Sequence, residues 1–169
     1  MLRPPPSLES RALRLLAMRE YSRQELERRL ARHATEPGQL QAVLDALQAK
    51  GFIDAQRVVA SVLHRRAPGL GVARVRQELQ RKGISGEEAR AALAGLQASE
   101  LARARQVWRR KFGASAADDS QGAPDAPPDA AQRARQMRFL ASRGFTGETI
   151  RQVVRSGALD EADGDPIDS

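Results

Sequence analysis

The chain has 169 residues with 28 Lys and Arg against 21 Asp and Glu, a net charge of +7, and no Cys, which excludes a disulfide scaffold and thiolate metal sites and suits a reducing compartment. Aromatic residues make up only 4% of it, so the core must be built from Leu, Val, Ile and Ala. No window approaches the roughly 18 consecutive apolar residues of a membrane span, and the opening "MLRPPPSLES" has no apolar signal core, so the expected location is the cytoplasm.

Hydrophobic periodicity predicts helices almost throughout and no alternating strand pattern. After a flexible start over 1–7, "SLESRALRLLAMRE" places Leu8, Ala12, Leu15 and Leu16 on one helix face. In "YSRQELERRLARH" Ser22 is followed three residues later by Glu25, a capping box, and Leu26 and Leu30 share the buried face. "EPGQLQAVLDALQAKGF" supplies Leu40, Val43, Leu44 and Leu47 before Gly51 ends the helix. These three helices make a first unit, 8–52.

The second unit, 53–98, repeats the plan. Val58 or Val59 packs with Val62 and Leu63 up to the "PGLG" turn, then Val72, Val75 and Leu79 share one face, then Ala89, Ala92, Leu93 and Leu96. The third unit, 99–156, has Leu101, Ala104 and Trp108 in its first helix, and Ala134, Met137, Leu140, Ala141, Ile150 and Val154 in the other two. An acidic, Pro-rich insert at 114–130 interrupts it, and an acidic tail follows at 157–169; both are expected to be disordered, since neither has enough bulky apolar residues to bury.

Residues 81–93, "RKGISGEEARAAL", are echoed at 142–154, "SRGFTGETIRQVV". Gly83, Gly86, Glu87 and Arg90 meet Gly144, Gly147, Glu148 and Arg151. Each copy reads as a helix end, a left-handed glycine and a new helix capped by Ser85 or Thr146, with Ile84 or Phe145 folding over the first turn. Three-helix units of this size are near the lower limit for folding alone, so stacking is expected. The predicted fold is all-α: three tandem three-helix-bundle repeats in an elongated array, straight or curved.

Catalytic chemistry is not visible. His33 and His64 have no partners at ligand spacing, no GxxxxGK[ST] loop occurs, and Ser61 and Ser85 lack an evident base. The chain therefore reads as a non-enzyme without cofactor or metal. Charge is more informative: without the nine acids of insert and tail, 12 acids face 28 bases, a net +16. Such a body seeks a polyanion or an acidic protein surface. Arg74 and Arg81 lie on one side of their helix; Arg57, His64 and Arg65 flank the preceding Val and Leu stripe; Arg105 and Arg109 are one turn apart, with Arg103 and Arg110 two turns apart. Trp108, at helical spacing from Leu101 and Ala104, reads as core, its alternative being a stacking platform for bases with Phe112.

The motifs "SRQELERRL", "LQAKGFID" and "GLGVARVRQELQRKGIS", in this order and spacing from about residue 8 to 156, resemble the RecX family, regulators of the bacterial recombinase RecA. The family's second acid and aromatic after "GFID" are absent here, where Ala55 and Val58 stand. The resemblance implies three tandem three-helix modules that bind, as a monomer, in the groove of the RecA nucleoprotein filament and inhibit its ATPase, recombinase and coprotease activities, with DNA as a further partner. On that reading Arg57, Arg65, Arg74, Arg81 and Lys82, with Arg105 and Arg109, are the expected contacts to acidic RecA surface or filament DNA. The alternative is a general nucleic-acid-binding protein built of helix-turn-helix-like units.

Overall fold

The computed structural model describes residues 5–113 and 130–160, with side chains to Gly157 in the last helix; residues 1–4, the insert 114–129 and residues 161–169, and the disorder expected of them, lie outside the described residues. Among the described residues every regular element is helical: α1 Leu8–Met18, α2 Arg23–Leu30, α3 Gln39–Ala49, α4 Ala55–Arg66, α5 Val72–Arg81, α6 Glu87–Ala98, α7 Glu100–Phe112, α8 Ala130–Ser142 and α9 Gly147–Asp160. Short 3-10 turns, Ala31–His33 and Ala67–Gly69, follow α2 and α4. Helix α9 continues to Asp160, and Gly157 is buried against the Trp108 ring.

The helices start where side chains can satisfy their first amides. Ser7 Oγ accepts from the Ser10 amide at 3.2 Å, and Asp54 Oδ1 accepts from Gln56 and Arg57 at 2.7 and 3.1 Å. The Ser22–Glu25 capping box is formed as the sequence predicts. Three helices end in the same way, on a glycine with φ of +73° to +80°: Gly51, Gly83 and Gly144. After each, an amide bonds back to a carbonyl five residues earlier, Phe52 to Leu47, Ile84 to Leu79 and Phe145 to Leu140. In the first copy of the repeated motif the cap differs from expectation. Arg90 N donates to Gly86 O, so Gly86 stands at the start of α6 where Ser85 was expected, whereas Thr146 caps α9.

Two compact units emerge, and they divide the middle repeat. The first holds 1–64 and 77–92. Its core gathers Leu8, Ala12, Tyr21, Leu26, Leu30, Leu40, Leu44, Leu47 and Ile53. The second holds 65–76 and 93–169, and its core is Ala104, Val107, Trp108, Phe112, Leu140, Phe145, Ile150, Val153 and Val154. Trp108 is core, as read from its spacing. Met137 and Ala141, expected inside, are exposed, and Gln136 is buried in their place. The rotation follows the partner: Phe139 meets the edge of Phe112 with centroids 5.3 Å apart, and that contact sets which face of α8 turns inward.

A polar cluster organises the first unit. The Glu25 carboxylate accepts from the Ser22 amide (3.0 Å), Arg19 (3.1 Å) and Lys82 (2.8 Å), while Arg19 also lies 3.7 Å above the buried Tyr21 ring. Burial alone would raise its pKa, but the Lys82, Ser22 and Arg19 bonds outweigh it and lower the value from 4.5 to about 2. A carboxyl depressed in the folded state contributes stability above its unfolded pKa, and that contribution is lost as pH falls from about 4.5 towards 2. Glu25→Ala is expected to cost about 2 kcal/mol at pH 7, since it removes a cap and leaves two cations unpaired. The gap to the unmodified protein should close as pH drops through that window, which urea titrations at pH 7 and pH 3 would read.

Candidate partner-binding surface

The expected contact residues divide between the two compact units. Arg57, Arg81 and Lys82 belong to the first; Arg65, Arg74, Arg105 and Arg109 belong to the second. Arg81, in the last turn of α5, and Arg105 and Arg109, one turn apart on α7, present exposed side chains. Arg65 is exposed near the end of α4.

Others have structural duties. Arg57 pairs with Glu20 at 3.1 Å and donates to the carbonyls of Gly51 (2.8 Å) and Phe52 (3.1 Å), so it fastens the turn before α4 while remaining half exposed. Arg74 donates to Ser142 O at 3.2 Å and lies across Gly144. Lys82 is the least exposed of them: its side chain is only 11% exposed and its ammonium is held by Glu25 at 2.8 Å. Arg103, read from the sequence as part of a basic row, is also turned inward. Its guanidinium donates to the carbonyls of Ala67 (2.9 Å), Leu70 and Leu96 (2.7 Å), which would otherwise be left open around the 3-10 turn and the end of α6.

A basic surface the sequence reading passed over lies in the first unit. A cleft of about 450 Å³ opens between α1 and the end of α2, edged by Arg11, Arg14, Arg28, Arg29 and Arg32, with His33 beside them. Leu15, Met18 and Leu30 line it too, and Met18 is 78% exposed. Among the described residues, none of these five arginines has a carboxylate partner, although Arg19, Arg23 and Arg57 of the same unit all do. Partial desolvation and the charges of Arg11 and Arg32 hold the His33 pKa below its ordinary value, as a concentrated positive field requires. The signal was present: Arg11 and Arg14 are three apart and Arg28 and Arg32 four apart, which puts each pair on one helix face.

Among the described residues no group of three or more His, Asp or Glu is placed to hold a metal ion, and no helix is long and apolar enough to cross a membrane. Helices in tandem three-helix modules with exposed arginines define a helical-repeat protein. Models of the first, second and third three-helix domains of RecX match residues 10–47, 56–93 and 98–154 in that order. The chain is 52% identical over 153 residues to the regulatory protein RecX of Leptothrix cholodnii, with 90% of each chain covered. It is 44% identical over 163 residues to that of Herbaspirillum seropedicae, covering 96% of this chain and 99% of that one. The crystal structure of RecX from Lactobacillus salivarius superposes with a TM-score of 0.69 at 16% identity, over 90% of this chain and 95% of that one, a likeness of fold. The chain belongs to the RecX family of regulatory proteins.

Proposed function

We propose that this protein is a non-enzymatic, cytoplasmic regulator that binds, as a monomer, to the RecA filament on DNA and inhibits its ATPase, recombinase and coprotease activities. The observation that carries the reading is the match of all three RecX domain models, in order, along one chain whose curated relatives are named regulatory proteins. Three tandem modules suit a partner that repeats along its own axis, since several weak contacts in series gain affinity from the linkage. Exposed cations at Arg81, Arg105 and Arg109 supply such contacts to carboxylates or phosphates.

The test is the single-stranded-DNA-dependent ATPase rate of the cognate RecA as this protein is titrated in, beside a titration of the DNA alone. Inhibition at protein concentrations too low to coat the bare DNA supports a filament-directed regulator. Inhibition that appears only as the DNA saturates makes general nucleic-acid binding the better reading. The double variant Arg81→Glu, Arg105→Glu is expected to weaken inhibition roughly tenfold through lost surface charge contacts. Its stability should stay within about 0.5 kcal/mol per site, because both side chains are exposed.

A further inference from the structure

The arginine cleft of the first unit is lined by none of the residues expected to contact the partner, although Arg28 on its edge donates to Arg81 O at 2.8 Å, and its composition is selective. Among the described residues five guanidiniums without a carboxylate partner edge it, four of them on exposed side chains, although Arg11 donates to Pro6 O and Arg28 to Arg81 O. Guanidinium forks bind carboxylates and phosphates alike, so charge alone leaves the ligand open. The apolar floor narrows it. Leu15 and the protruding Met18, above the buried Leu30, offer a surface for an aliphatic side chain, and Met adapts to whatever shape is presented. Single-stranded nucleic acid is held by basic grooves that include aromatic platforms for its bases. No Phe, Tyr or Trp lines this cleft, and the one ring there, His33, already accepts a hydrogen bond from Arg32 at 3.2 Å.

We propose that this cleft docks an acidic protein segment carrying a central aliphatic residue, whose carboxylates pair with the arginine rim and whose apolar side chain rests on Met18 and Leu15. Binding is tested without any recombinase, so its result is independent of the proposed function. The probe is a fluorescently labelled synthetic peptide with three glutamates on either side of one leucine, followed by anisotropy with the full chain. The same peptide with serine for leucine and a twelve-nucleotide thymidine strand serve as comparisons.

The serine peptide should bind the unmodified protein several-fold more weakly than the leucine peptide. Arg14→Glu with Arg32→Glu should lower affinity for the leucine peptide at least tenfold, and Met18→Ser should erase the difference between the two peptides. Circular dichroism melts of both variants establish that they fold, and the comparison of peptides on the unmodified protein needs no variant at all. Equal binding of the two peptides overturns the proposal. So does preferential binding of the thymidine strand that disappears in the Arg14→Glu, Arg32→Glu variant, which would assign the cleft to a nucleic-acid backbone.

Discussion

Gly71→Ala is expected to destabilise the second unit by about 3–5 kcal/mol. Gly71 precedes α5, and its amide donates to Arg143 O at 2.9 Å while Ala73 N donates to Gly144 O at 3.2 Å. Two backbone segments thus touch directly. A Cβ on Gly71 would stand 2.1 Å from Gly144 O, 2.2 Å from its carbonyl carbon and 2.3 Å from Phe145 N, none of which can rotate away. The segments would have to separate, with loss of both hydrogen bonds. Urea unfolding followed by the single Trp, Trp108, which lies in the core of the same unit, gives the measurement. A change below about 1 kcal/mol would show that the two segments do not pack in this way.

Glu100→Ala should cost about 3 kcal/mol, for a different reason. Glu100 opens α7 and is only 3% exposed. One carboxylate oxygen accepts from the Val72 amide at 3.0 Å; the other accepts from the Thr146 and Thr149 hydroxyls at 2.8 and 3.1 Å. It therefore serves the start of α5 and the start of α9 at once. Burial works against the charged form, but these donors outweigh it and hold the pKa below 4.5. The sign follows: the stabilising contribution is complete above about pH 4.5 and is lost as the pH falls below it. Glu100→Gln keeps one acceptor and should lose about half as much as alanine at pH 7, and both variants should converge on the unmodified protein in acid. The same fluorescence assay at pH 7 and pH 3.5 checks this.

What could be read from sequence was local. The capping box at Ser22 and Glu25, the left-handed glycines at 83 and 144 and most apolar stripes depend on neighbours three to five residues away, and the structure has them. The misreadings involve distant partners. Lys82 looks like a surface cation until Glu25, 57 residues earlier, is found beneath it. Arg103 sits in a row with Arg110 on a helical wheel, yet its acceptors are carbonyls up to 36 residues away. Gly71 gave no hint of its role because what it touches lies beyond the insert. The face of α8 was only partly legible: Leu140 is buried as expected, but Phe139 and not Met137 packs on an aromatic ring of α7. The arginine cleft was legible as i,i+3 and i,i+4 pairs, but its openness depends on which carboxylates are used elsewhere.

The compact units have a further meaning for how such a chain can change. Their borders fall inside α4, α5 and α6, so the module that recurs in sequence and the module that packs are out of register by about half a repeat. In most solenoids a whole repeat can be added or removed at its linker, because each repeat carries its own share of the core. Here excision at residue 98 would strand the Val72 amide without Glu100 and Gly71 without its backbone partner. Loss of the third repeat would thus cost the second part of its own packing, and exposed charge is where such a chain can vary without disturbing either core.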